Sequence, residues 1–107
     1  MAAEGKVTVT GASGTQYEFE VYPWGTSFKP LGGVYLVLKK KLLADYDLLY
    51  IGQTGDLSER FDNHHKADCF NRNGKTHIAI RLEESEQRRL NIETDLIRNY
   101  KTSCNDQ

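Results

Sequence analysis

The chain has little that would place it in a membrane, in a disulfide-built scaffold or among zinc modules. No apolar run in its 107 residues approaches the ~20 needed to cross a bilayer, and the opening MAAEGKVTVT lacks the apolar core of a secretory signal. The expected location is the cytoplasm. Cysteine is scarce: Cys69 and Cys104 are too few for a disulfide framework, and without an export signal they are expected to stay as thiols. Joined with His64 or His65 they give only a His-His-x-x-x-Cys spacing, short of the four-ligand pattern of structural zinc. Basic excess is missing too. Fourteen Lys and Arg against 15 Asp and Glu leave a net charge of -1, so the whole chain carries no broad phosphate-binding footprint. Internal repeats and low-complexity stretches are absent.

What is present suffices for one small domain. A chain of this length, 38% hydrophobic, has material for a single core and buries only roughly 60–65% of the surface of its unfolded form. Residues 6–10 and 15–22 alternate polar and apolar around the turn Gly11-Ala12-Ser13-Gly14, which predicts an amino-terminal β-hairpin. Both prolines, Pro23 and Pro30, fall in the following connector. Two β-type runs, Val34–Leu38 and Leu48–Ile51, predict a central hairpin whose solvent turn carries Lys39, Lys40, Lys41, Asp45 and Asp47. Such a hairpin allows Tyr35 and Tyr50, one on each strand, to meet.

Further on, Asp56 and Glu59 match a capping box and predict a helix over 57–67. Leu57 and Phe61 face inward there, with Arg60 and His64 paired four apart on the adjoining stripe. Asp68 to Gly74 reads as a polar turn, and Thr76–Leu82 as a strand with Ile78, Ile80 and Leu82 toward the core and His77 exposed. A long helix over 84–100, capped near Ser85, shows an apolar stripe of Leu90, Ile97 and Tyr100 flanked by Ile92 and Leu96. Glu93 falls on that stripe. A carboxylate facing a core must be protonated, paired with a cation or bound to metal, and an arginine salt bridge and a metal site both remain open on this pattern.

The predicted architecture is α+β: a small central antiparallel sheet flanked by helices, with the amino-terminal hairpin added to it. Residues 1–30 form the hairpin and connector and 31–107 the core of a single compact domain. Charge is unevenly spread. Between 60 and 81 the basic Arg60, Lys66, Arg72, Lys75 and Arg81 meet only Asp62 and Asp68, a local patch able to attract phosphate.

The motifs Gly33-Val34-Tyr35 and Tyr50-Ile51-Gly52, followed by Arg60, His64, Glu93 and Asn105, resemble the GIY-YIG nuclease family over about residues 31–105. The extent is similar to the nuclease part of the bacterial excision-repair incision subunit. That resemblance implies a metal-dependent endonuclease that hydrolyses DNA phosphodiester bonds. Tyr35 would be the general base. A phenol with a pKa near ~10 needs help to act so, and His64, near ~6.5, would take its proton while Tyr50 positions water or phosphate. Arg60 would contact the scissile phosphate, Glu93 would hold Mg²⁺ or Mn²⁺, and Asn105 and Gly52 would support the site.

DNA, whether single-stranded, branched or duplex, is the implied partner. Its backbone contacts are expected at Lys39, Lys40, Lys66, Arg72 and Lys75, with Gln53 and Thr54 lining the groove. Specificity for sequence is expected to be weak, since no second domain is present to read a target. The alternative is a catalytically silent DNA-binding or protein-interaction module of the same fold.

Overall fold

The computed structural model describes residues 3–42, 45–59 and 61–105, Asp62 by its main chain only. Five strands, β1 (Gly5–Thr10), β2 (Gln16–Pro23), β3 (Gly33–Lys40), β4 (Tyr46–Thr54) and β5 (His77–Leu82), form one antiparallel sheet in the order β1-β2-β5-β3-β4. Two helices accompany it, α1 (Ala67–Arg72) and α2 (Glu86–Asn99), with a 3₁₀ turn at Phe61–Asn63. The amino-terminal hairpin is thus an integral part of the sheet. β2 pairs with β5 through Glu20 opposite Ile80 and Tyr22 opposite Ile78.

β3 lies inside the sheet and is buried on both faces, which is why its run is apolar without a break. Val34, Leu36 and Leu38 point to one face, where they pack with Phe19, Val21, Ile51 and Ala79 beneath Ile92 and Leu96 of α2. Tyr35 and Val37 point to the other, where Ile78, Ile80, Tyr50, Leu57 and Phe70 join them. β5 is likewise interior, so His77 is only 9% exposed and bonds Glu4 and Thr76 through its ring nitrogens, contrary to the exposed position expected for it. Leu82, at the strand's end, is 57% exposed and not in the core.

Among the described residues of 57–66 the expected helix is not formed. Asp56 closes a turn, its Oδ1 accepting from the Ser58 amide at 2.8 Å, and the Leu57 amide donates to the Leu31 carbonyl at 2.8 Å. An Asp followed three later by Glu serves a turn as well as a cap, and Leu57 is claimed by the core before a helix can begin. The helix lies instead at Ala67–Arg72, from the end of the expected helix into the segment Asp68–Gly74 read as a polar turn, because Cys69 and Phe70 supply a buried inner face.

α2 starts as expected, with Ser85 accepting from the Arg88 amide. Its buried residues, however, are Arg89, Ile92 and Leu96, while Leu90 and Ile97 are exposed. The apolar pattern admits two neighbouring stripes, and contact with the sheet selects the second.

The cysteines are not thiols: Cys69 and Cys104 form a disulfide joining α1 to the carboxy-terminal segment. Within that segment Asn105 grips the outer edge of β4. Its Oδ1 accepts from the Ile51 amide at 2.7 Å and its Nδ2 donates to the Ile51 carbonyl at 2.8 Å, while the Cys104 amide donates to the Leu49 carbonyl at 2.9 Å. These bonds satisfy an edge that would otherwise be bare.

Candidate active site

β3 and β4 carry the two tyrosines past each other at a diagonal. Tyr35 stands opposite Gly52, Val37 opposite Tyr50, and the tyrosine ring centroids are 6.0 Å apart. Gly52 makes this approach possible. A Cβ on it would lie 2.6 Å from Cζ and Oη of Tyr35 and 2.7 Å from Cε2 of Tyr50, in the space the two rings occupy.

His64 joins them by tertiary packing. It follows the 3₁₀ turn, stacks on His65 at 4.4 Å and meets Tyr50 edge-on at 5.0 Å. Its Nε2 is 2.7 Å from the Tyr35 hydroxyl, and its Nδ1 accepts from the Lys66 amide at 3.0 Å. Burial, with the neighbouring His65 and Lys66, lowers its pKa to about 4, so the ring is neutral at pH 7. A neutral ring whose Nδ1 accepts carries its proton on Nε2, and that N–H donates to the Tyr35 oxygen. The polarity is the reverse of the expected transfer from Tyr35 to His64, because Nε2 is already protonated.

Tyr35, Tyr50, His64 and Glu93 line one open cavity of about 520 Å³. Burial raises the Tyr35 pKa far above the ordinary phenol value, and Tyr50, Glu93 and Glu59 add to the rise. Tyr50 is raised by burial and by Glu93, and Glu93 itself is raised by burial. Among the described residues Glu93 has no ion-pair or hydrogen-bond partner, and Arg60 lies outside them. A half-buried carboxylate with no cation beside it among the described residues suits a hard divalent ion, and its donor chemistry fits Mg²⁺ or Mn²⁺.

Gln53 and Thr54 line the cavity as expected, and so does His65. Sequence reasoning missed Glu59 and Phe61. Glu59 looked like half of a capping box, yet it lines the cavity and its Oε1 accepts from Thr54 Oγ1 at 3.2 Å. Phe61 packs edge-on against Tyr35 at 4.8 Å and sets its ring; its apolar character marked it only as core.

Arg60 lies outside the described residues. None of Lys39, Lys40, Lys66, Arg72 and Lys75 lines the cavity. Lys66 adjoins it through His64, Lys75 sits over the Trp24 ring at 5.1 Å, and Lys39 passes Gly74 near the end of α1. Comparisons with protein-family models, curated proteins and solved structures return no match. The reading of this site therefore stands on its own residues.

Proposed function

We propose that this protein is a divalent-metal-dependent endonuclease acting on DNA phosphodiester bonds. The observation that supports it best is the half-buried Glu93, without an ion-pair partner among the described residues, in the same cavity as the hydrogen-bonded Tyr35–His64 pair and Tyr50. Half-burying a carboxylate beside two buried phenols is costly unless a cation comes to it.

Glu93 would hold the cation, with Arg60 reaching the scissile phosphate. Bound there, Mg²⁺ or Mn²⁺ supplies positive charge to the phosphate and to the departing 3′ oxygen. Tyr35 acts as base in its phenolate form, having lost its proton to solvent through the open cavity, and then takes a proton from the attacking water. Two features of the chain favour that form. His64 donates Nε2–H to the phenolate oxygen, and neutralising Glu93 withdraws one of the charges that holds Tyr35 protonated. The Lys66 amide keeps His64 in the donating tautomer, and Tyr50 offers its hydroxyl to water or phosphate.

The test is cleavage of labelled single-stranded, duplex and forked DNA in Mg²⁺, Mn²⁺ or EDTA by wild type, Tyr35→Phe and Glu93→Ala. Metal-dependent cutting, reduced roughly 10²–10⁴-fold by Tyr35→Phe and abolished by Glu93→Ala, is expected. A wild-type protein that binds DNA and never cuts it would establish the silent module instead.

A further inference from the structure

Four residues before Glu93, α2 buries an arginine. Arg89 is 7% exposed, and among the described residues no Asp or Glu pairs with it. Its guanidinium bonds neutral oxygens on two separate segments. Nε donates to Gln53 Oε1 at 3.0 Å, and Nη1 donates to the main-chain carbonyls of Glu83 at 3.1 Å and Glu84 at 2.8 Å. A third segment closes on the same group: a Cβ on Gly32 would stand 2.5 Å from Nη1.

These three segments adjoin the elements that carry Tyr35, Tyr50 and Glu93. Gln53 follows Gly52 and lines the cavity, residues 83–84 set where α2 begins, and Gly32 leads into the strand that carries Tyr35. Positions four apart on a helix share a face one turn apart, so Arg89 and Glu93 project from α2 together. Burying a cation against neutral acceptors alone is a costly way to hold a helix, since an apolar side chain would pack there without the desolvation. What an apolar side chain lacks is the planar fork that ties two segments to one point.

We propose that Arg89 is a positioning residue for the metal-binding carboxylate: by tying the first turn of α2 and the segment before it to the end of β4, it fixes where Glu93 stands relative to Tyr35 and Tyr50. This inference rests on the assignment of Glu93 as the metal ligand. A lysine keeps the charge but has no fork, so it does not replace the arginine.

The test titrates Mn²⁺ into the full chain and follows paramagnetic broadening of the Tyr35 and Tyr50 ring resonances in wild type, Glu93→Ala, Arg89→Met and Arg89→Lys. DNA cleavage is measured in parallel. Both rings broaden in wild type, and Glu93→Ala abolishes the effect. Both Arg89 variants need about 10-fold more Mn²⁺ for half-broadening, and they lower kcat with little change in KM for DNA. Should Arg89→Met fail to fold, Gln53→Leu removes only the Nε partner and carries the same expected direction. Broadening as in wild type in the folded variants overturns the inference and leaves Glu93 as the ligand. No broadening in wild type removes the ligand assignment and this inference with it.

Discussion

Gly52 shows how narrowly the site is built at the residue scale. Its missing side chain is the space in which Tyr35 and Tyr50 approach, with a Cβ there 2.6 and 2.7 Å from their ring atoms. Gly52→Ala must push the rings apart or bend β4, and overpacking of this kind costs roughly 1–3 kcal/mol. The expected outcome is a protein that folds, is less stable by about that amount in denaturant titration, and has lost the Tyr35–His64 hydrogen bond along with its cleavage of DNA. Wild-type activity in Gly52→Ala would show that the tyrosines need not meet. Both tyrosines and this glycine were legible in the sequence as motifs. The reason for the glycine was not, since the clash involves a ring on the neighbouring strand.

At the scale of elements, the carboxy-terminal segment acts as a strap along β4. The disulfide holds it to α1, and Asn105 holds it to Ile51, between Tyr50 and Gly52. The bridge spans 35 residues, a loop for which cross-linking limits the unfolded chain by roughly 3–4 kcal/mol. Reduction, or replacing both cysteines by serine, should lower unfolding stability by about that amount, and an unchanged denaturation midpoint would show that the bond does not stabilise the fold. Asn105→Ala strips both polar groups of Ile51 of their partner and should cost roughly 1–3 kcal/mol in the same assay. It should lower cleavage as well, because the strand it releases carries Tyr50. Failure of both effects would exclude the clamp.

For the whole molecule, charge and pH set the observable behaviour. With a net charge of -1, the proposed DNA contact would rest on a few local cations. If Arg60, Lys39, Lys40, Lys66, Arg72 and Lys75 are the six involved, the log–log dependence of duplex affinity on salt has a slope no steeper than about -5. Fluorescence anisotropy between low and physiological salt measures it, and a steeper slope would mean phosphate contacts beyond these six. Stability should also depend on pH through His64. Its folded pKa of about 4 lies below the ordinary 6.5, so between those values the unfolded chain binds a proton that the folded chain refuses. The contribution of neutral His64 is thus complete above the unfolded pKa and is lost as pH falls toward 4. Denaturation of wild type and His64→Asn from pH 7.5 to 4 should show the stability difference shrinking with acid, and a difference constant with pH would refute it.

The sequence by itself determined the strands, because a period of two and β-branched runs need no partner to be recognised, and it determined α2 with its Ser85 cap, because capping is local. It also determined which polar residues stand at motif spacing. Only the tertiary structure decided where α1 lies, since the Asp56–Glu59 pattern is equally a turn and the burial of Leu57 and Phe70 settles between them. The same holds for the buried face of α2, chosen by what the sheet presents to it. The disulfide required Cys69 and Cys104 to be brought together across 35 residues, and the proton on His64 was placed by an amide two residues on that becomes its partner only in the folded bend. Each of these depends on long-range contact, which local pattern does not encode.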